Sequence, residues 1–183
     1  MRINKLALTN FRSYNSLELD LEPGVTTFVG DNGSGKTNIA ESLIYLAFLS
    51  SHRVANNVPL ISLGNQQAII RAEVQRDDRT LQIDLEINAT KANRARINGN
   101  PTRSQRELLG AIQIVYFSPE DLDLVRGEPG NRRDFLDRLL ITRTPRLAGV
   151  IADYERVVKQ RNALLKTRTS AAALVPWNEQ LLN

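Results

Sequence analysis

The alternation of apolar and polar residues divides the start of the chain into short strands and one helix. In 16–22, leucines at every second position alternate with acidic residues, which is typical of a strand with one buried and one wet face. The run 25–29 is short, rich in β-branched residues and almost wholly apolar, which predicts a strand covered on both faces. A glycine-rich loop, 30–35, follows, and in 36–49 the apolar residues recur at helical spacing.

Further strands and turns are predicted by the same patterns up to about residue 130. The turn 76–79 joins two strands as a hairpin, and the turn 98–100 is of the same kind. Ser104 is placed to cap a short helix, and 112–117 again has the pattern of a buried strand. The remaining predicted strands are 3–10, 68–75, 80–88 and 94–97.

A change of composition near residue 130 predicts a second domain. Beyond it, 132–141 and 145–167 carry helical periodicity, with arginine and lysine on their polar faces. We therefore predict an α/β fold in 1–130 and a helical domain in 131–183.

Composition excludes several kinds of site. The chain has 183 residues, no cysteine and one histidine, His52, so disulfides, thiolate metal sites and pairs of imidazole ligands are excluded. His52 is predicted to be a loop residue. The longest apolar run, 43–49, is far shorter than the roughly 20 residues needed to span a bilayer. The N-terminus lacks the apolar segment of a signal peptide, so we expect a cytoplasmic protein.

The net charge of +4 is unevenly distributed along the chain. Residues 1–88 carry 8 basic and 10 acidic side chains, whereas residues 89–168 carry 16 basic and 9 acidic ones. A polyanion would therefore be attracted to the second half. The alternative, a solvated polar face on long helices, stays open.

The residues 30–37 match the phosphate-binding motif G-x-x-x-x-G-K-[ST], and they lie between a predicted strand and a predicted helix. Glycine lets the backbone wrap a phosphate, successive N–H groups form a nest for anionic oxygens, and the helix adds its positive end. Lys36 would supply charge to the β- and γ-phosphates, and the Thr37 hydroxyl would ligate Mg²⁺. The predicted nucleotide-binding residues of this loop are Gly30, Asp31, Asn32, Gly33, Ser34, Gly35, Lys36 and Thr37.

Stretches along nearly the whole chain resemble one family. Two predicted strands precede the strand of the P-loop, unlike in small nucleotide kinases. The stretches that carry the resemblance are 6–14, 23–24, 29–38, Glu41, 116–122, 125–127, 132–137, 159–165 and 176–177. With these the chain resembles the SMC-like branch of the ABC ATPases and, within it, most closely the RecF family of bacterial recombination mediators.

The resemblance implies an ABC-type ATPase head, with two sheets around the P-loop helix and a helical arm inserted into the head. It implies binding of ATP and Mg²⁺, a homodimer with ATP sandwiched between the subunits, and binding of single-stranded or gapped DNA. RecO and RecR would be partners in DNA repair, recombination and replication and in the SOS response.

The resemblance also implies roles for residues outside the P-loop motif. Arg12 matches a position from which an arginine approaches the nucleotide, and Arg53 lies where an arginine lies near phosphate or DNA. Asn38 and Glu41 match the pattern that follows the P-loop, with Asn38 expected at the nucleotide. For Arg12 the open alternative is a surface arginine with a carboxylate partner, and for Arg53 it is a solvated loop arginine.

Basic residues of the predicted arm are candidate DNA contacts. The set consists of Arg143, Arg146, Arg156, Lys159, Arg161, Lys166 and Arg168. Arg156, Lys159 and Lys166 share a helical face by their spacing. Because no aromatic residue alternates with them, we expect contact with phosphates rather than reading of bases. A purely solubilising role stays open.

Two elements of an ABC-type ATPase are not found in the sequence. Residues 112–121 imitate a Walker B strand, but Ser118 and Pro119 separate the strand from the acidic residues. Residues 62–66 imitate a signature loop, but no helical pattern opens after them. We therefore expect roughly the first half of a longer protein. The full-length protein would be a weak ATPase, and this half alone would be inactive. The edge of the sheet beside the P-loop strand would be exposed.

Two other functional classes remain to be distinguished from an ATP-dependent DNA-repair protein. One is a P-loop phosphotransferase acting on a small substrate. The two predicted strands before the P-loop strand and the lack of an obvious lid argue against this class. The other is a non-catalytic switch, in which the nucleotide only licenses dimerisation.

Overall fold

The computed structural model describes residues 1–51, 53–54, 56–167 and 170–182. His52, predicted to be a loop residue, and Arg168, a member of the basic set, lie outside the described residues. The chain divides into two compact units, Met1–Arg126 and Gly127–Asn183. The division lies close to the composition change near residue 130, while the roles of the two units as ATPase head and helical arm stay predictions.

The first unit is built on a six-stranded antiparallel sheet with the strand order β2-β1-β3-β4-β5-β6. The strands are β1 (Arg2–Phe11), β2 (Tyr14–Asp20), β3 (Gln67–Arg76), β4 (Arg79–Asn88), β5 (Arg94–Ile97) and β6 (Asn100–Pro101). The register pairs Arg76 with Arg79 and Ile97 with Asn100, so both predicted hairpin turns are two residues long. The strands that the alternating pattern predicts in this region are thus confirmed.

One face of the sheet and helix α1 (Lys36–Phe48) share a single apolar core. Leu8 and Leu85 from the sheet and Tyr45 and Leu46 from the helix are each at most 1% exposed. Burial of each such side chain contributes roughly 1.5–3 kcal/mol relative to exposure. The core therefore fixes α1, and with it the loop that precedes the helix, against the sheet.

Two segments predicted to be buried strands are not strands in the structure. Residues 25–29 have no regular secondary structure and are exposed, and Val29 is 90% exposed. In 112–117 a single bridge pairs Leu109 with Ile112, and Val115 is fully exposed. The physical reason is that a central strand needs hydrogen-bonding neighbours, and within the described residues neither segment has a strand beside it.

Short helices complete the first unit. Ser104 caps a 3₁₀ helix, Gln105–Leu108, in a capping box with Glu107, which confirms the predicted cap. Two more 3₁₀ helices are Val58–Leu60 and Pro119–Leu122, and α2 is Asp123–Arg126.

The second unit consists of α3 (Pro129–Arg143), α4 (Leu147–Lys166) and α5 (Ala171–Leu182). The two predicted helices of this region are confirmed. In the contact between α4 and α5, Arg161 Nε donates to Asn178 Oδ1 at 2.7 Å. Among the described residues, no helix is both long enough and apolar enough to cross a membrane.

Candidate functional site

The P-loop, 30–37, curls around the ammonium group of its own lysine. Lys36 Nζ donates to the carbonyl oxygens of Gly30 and Asp31, at 2.7 Å each, and lies 3.4 Å from Ser34 Oγ. Helix α1 begins at Lys36, with Gly35 as the N-cap residue in the left-handed region. The cation, the glycine turn and the positive end of a helix therefore meet at one point, which is an arrangement suited to an anion.

The turn between β1 and β2 lies against the P-loop. A side chain at Gly35 would bring its Cβ to 2.7 Å from Tyr14 Oη and 2.8 Å from Ser13 Oγ. Asn38 Nδ2 donates to Ser13 Oγ at 3.0 Å, and Tyr14 Oη donates to the Ser34 carbonyl at 3.4 Å. This close approach is a physical reason for glycine at position 35, in addition to its φ of 99°.

Arg12, in the same turn, is fixed by its backbone and by its side chain. Its φ is 54°, its N–H donates to the Leu60 carbonyl at 2.8 Å, and its carbonyl accepts from Ser62 Oγ at 2.7 Å. Its guanidinium makes two hydrogen bonds to Glu41, Nε to Oε2 at 2.9 Å and Nη2 to Oε1 at 2.6 Å. A third bond, from Nη1, reaches the Pro59 carbonyl at 2.9 Å.

Glu41, on α1, is completely buried and accepts from two more residues. Ser51 Oγ donates to Oε1 at 2.5 Å, and Arg53 Nη1 lies 3.3 Å from Oε2. Arg53 Nη1 also lies 3.3 Å from Asn38 Oδ1. Burial raises the pKa of the Glu41 carboxyl, but the hydrogen bonds from Arg12 and Ser51 and the charges of both arginines outweigh it, so the pKa is lowered overall.

The predicted site residues are divided between the two compact units. The P-loop, Arg12, Asn38 and Arg53 belong to the first unit, and the described arm candidates belong to the second. Of these, Arg143 ends α3 and Arg146 precedes α4, whereas Arg156, Lys159, Arg161 and Lys166 lie on α4. On α4, Lys159 and Lys166 are exposed, and Arg156 pairs with Asp153 at 3.0 Å. Glu41 was recognised in the sequence only as part of the motif, and its link to both arginines was missed.

A groove of about 480 Å³ lies on the outer face of the sheet and was not predicted. Its charged lining residues are Arg71, Asp84, Glu86, Arg94, Arg96 and Arg103. Asp84 lies directly opposite Arg96 and Arg71, and Glu86 lies opposite Arg94. The signal in the sequence was the alternation of charged residues on the polar positions of β4 and β5. Four arginines and two carboxylates line the groove, so half of the positive charge is balanced locally.

The residues that could hold a metal ion are few. Among the described residues, no group of three or more His, Asp or Glu side chains is arranged to hold one. Thr37 is exposed in the first turn of α1, beside Lys36. One hydroxyl suits Mg²⁺ bound mainly by phosphates and water, which is how this ion is usually held at a nucleotide.

Comparison by sequence identifies relatives of known family. The family described as AAA ATPase domain matches residues 1–161. The DNA replication and repair protein RecF of Kineococcus radiotolerans is 54% identical over 189 residues, covering 99% of this chain and 48% of the relative. The protein of the same name from Renibacterium salmoninarum is 58% identical over 168 residues, covering 91% and 42%. The chain thus spans about half the length, or less, of these curated relatives.

Comparison by structure gives the same result. A structure described as the recombination mediator protein RecF-ATPrS in the RecFOR pathway has a TM-score of 0.90 at 25% identity, covering 98% of this chain and 50% of that one. One described as RecF-ATP in the same pathway has a TM-score of 0.83 at 26% identity, with the same two coverages. The predicted α/β, ABC-type ATPase fold and the predicted resemblance to RecF are therefore confirmed. The chain belongs to the AAA ATPase domain family and is similar to RecF over nearly its whole length.

Proposed function

We propose that the P-loop of this chain binds the phosphates of ATP. The observation that carries the proposal is the geometry around Lys36, whose ammonium group lies 2.7 Å from two loop carbonyls at the N-terminus of α1. An anionic phosphate oxygen would meet the ammonium, the loop N–H groups and the helix end together. A relative of similar fold is described as a RecF-ATP structure, which supports the choice of nucleotide.

Mg²⁺ would accompany the nucleotide, with Thr37 as the ligand from this chain. When bound, the ion would neutralise charge that develops on the phosphates. Asn38 would complete the nucleotide site, since it directly follows the motif and donates to Ser13 in the β1–β2 turn. A role for Arg12 at the nucleotide follows from the resemblance alone, because its side-chain hydrogen bonds go to Glu41 and the Pro59 carbonyl.

Binding of ATP by the isolated chain tests this proposal. We expect saturable binding of a fluorescent ATP analogue in the presence of Mg²⁺, displaced by unlabelled ATP. Steady-state turnover should be far below that of a full-length relative, because residues 1–183 contain no recognisable Walker B strand or signature loop. Failure to bind at millimolar ATP, or a nucleotide located away from 30–37 in a crystal soaked with ATP and Mg²⁺, would contradict the proposal. Phosphorylation of a small acceptor would favour a phosphotransferase instead.

For the whole protein, we propose ATP-dependent action on DNA in repair and recombination. The name of the curated relatives, DNA replication and repair protein RecF, supports this proposal. A homodimer that sandwiches ATP, DNA as a ligand and RecR and RecO as partners are proposals that follow from the resemblance. A cytoplasmic location is a further prediction of the same kind.

The arm residues give a specific prediction about DNA binding. Replacing Lys159 and Lys166 by alanine should lower the slope of log affinity against log salt by about 2, since each lost phosphate contact removes roughly 0.9. The measurement is a salt titration of duplex DNA binding by fluorescence anisotropy. Both lysines are exposed, so the change should leave folding intact.

A matched control removes the same charge elsewhere. The double variant Arg94→Ala/Arg96→Ala also deletes two cations, but both face carboxylates across β4. Its slope should stay within about 0.5 of the wild-type value, since the proposed phosphate contacts are on α4 and not on β5. An unchanged slope for the lysine variant would remove Lys159 and Lys166 from the DNA contacts. A large change for the control would place the contacts in the groove.

A further inference from the structure

The Glu41 carboxylate joins three separate parts of the first unit. It belongs to α1, whereas its donors come from the β1–β2 turn, through Arg12, and from the loop after α1, through Ser51 and Arg53. Its side chain is fully buried. A buried carboxylate without such donors would be strongly disfavoured, so these contacts hold the three parts together.

The two arginines bind this carboxylate unequally. Arg12 makes the two short bonds, is 16% exposed in its side chain and has a further bond to the Pro59 carbonyl. Arg53 makes two long contacts of 3.3 Å, one to Glu41 and one to Asn38, and is 39% exposed. If Arg53 moved away, Glu41 would keep the bonds from Arg12 and Ser51, so its carboxylate would remain satisfied.

The charges of this cluster, which lies next to the P-loop, do not balance. Two guanidinium groups share one carboxylate, which leaves one positive charge in excess. Asn38, which holds Arg53 from the other side, directly follows Thr37 in the motif. An anionic oxygen arriving at the P-loop would compete with Glu41 for the exposed guanidinium rather than for the buried one.

We propose that Glu41 is a positioning residue for phosphate binding, which fixes Arg12 and holds Arg53 as a releasable guanidinium beside the P-loop. The inference rests on the proposed binding of ATP. Glu41 itself would contact no ligand. It sets the position from which Arg53 turns to a phosphate oxygen, and it keeps Arg12 in place while Arg53 moves.

A double-mutant cycle with ATP tests the inference. Arg53→Ala should raise the Kd for ATP about tenfold in the wild-type background, which is the effect expected for loss of one charge-assisted hydrogen bond. In the Glu41→Gln background the same change should raise the Kd less than about threefold, because the guanidinium is no longer positioned. The control Arg79→Ala removes an exposed guanidinium at the β3–β4 turn and should leave the Kd unchanged.

A second cycle covers the case in which Glu41→Gln does not fold. Ser51→Ala removes the hydroxyl that donates to Glu41 and accepts from the Arg53 N–H, while the Arg12–Glu41 pair remains. The effect of Arg53→Ala on the Kd should again shrink in this background. The same variants titrated with duplex DNA distinguish a nucleic-acid phosphate from a nucleotide phosphate as the partner of Arg53.

The outcomes separate this inference from the proposed function. Coupling between Arg53 and Glu41, or between Arg53 and Ser51, supports the positioning role. If the coupling occurs with DNA and not with ATP, the phosphate that Arg53 binds is that of a nucleic acid. Equal fold-changes in all backgrounds with both ligands would overturn it while leaving ATP binding intact. A wild-type chain that binds neither ATP nor DNA would overturn both the function and the inference.

Discussion

Replacing Lys36 by alanine should weaken ATP binding by at least about 100-fold and barely change the stability of the fold. The ammonium group is held 2.7 Å from two carbonyls of the loop, so a phosphate bound in this loop would contact the cation directly. Loss of two charge-assisted hydrogen bonds, at roughly 1.5–3 kcal/mol each, corresponds to a factor of 100 or more in the Kd. The measurement is a titration with a fluorescent ATP analogue.

The stability of the Lys36→Ala variant should fall by less than about 1 kcal/mol, because the bonds that are lost are exposed to water. Lys91→Ala is a matched control, since Lys91 is exposed in the turn between β4 and β5 and lies outside the P-loop. It should bind ATP as the wild type does. If Lys36→Ala kept its affinity within about threefold, the P-loop would not be the phosphate site.

The strands of the sheet could be predicted because their burial depends on a local period. In β4, Ile83, Leu85 and Ile87 are each at most 1% exposed, and polar residues alternate with them. A strand with one buried face repeats every two residues whatever its neighbours are. The motif 30–37 could be predicted for a similar reason, since the glycine turn and the following helix are local features.

The segments 25–29 and 112–117 show where local patterns fail. An apolar run indicates that a segment can be a buried strand, but the strand exists only if other backbone groups lie beside it. Within the described residues the sole pairing is the bridge between Leu109 and Ile112. Side chains such as Val29 and Val115 therefore remain exposed, whereas Ile112, at the bridge, is buried.

The Glu41 cluster could not be predicted because its members are far apart in sequence. The motif placed Glu41 on α1, and the resemblance placed Arg12 and Arg53 near the nucleotide, each as a separate residue. No periodicity shows that a single carboxylate accepts from both arginines, because the contact requires the β1–β2 turn and the loop after α1 to close on the same helix. Such convergence is a property of the tertiary fold.

The Arg12→Ala variant should be destabilised by about 3 kcal/mol, the largest stability effect expected from one charged residue of this site. Removing Arg12 deletes both short bonds to Glu41 and leaves a fully buried carboxylate with only Ser51 and Arg53. Breaking a buried ion pair from one side typically costs roughly 3–5 kcal/mol, and the remaining donors place the effect at the lower end. The measurement is urea unfolding followed by circular dichroism.

Two controls separate the ion pair from other effects of Arg12→Ala. Arg12→Gly removes the same guanidinium but relieves the backbone, whose φ is 54°, and should be about 1 kcal/mol more stable than the alanine variant. Lys5→Ala breaks an exposed pair with Asp20 in the same sheet and should cost less than about 1 kcal/mol. Equal losses for Lys5→Ala and Arg12→Ala would show that burial of Glu41 adds nothing to the pair.

The effect of Arg12→Ala should also depend on pH in a definite direction. The pKa of Glu41 is lowered below its ordinary value of 4.5, so the unfolded chain binds the proton more readily than the native one. The stabilisation is therefore complete above that value and is lost as the pH falls through the native pKa. Because Arg12 supplies much of this lowering, the difference in unfolding free energy between wild type and variant should shrink as the pH is lowered from 7 to about 3. A difference that stayed constant over this range would mean that Arg12 stabilises the turn by packing and not through the ionised carboxylate.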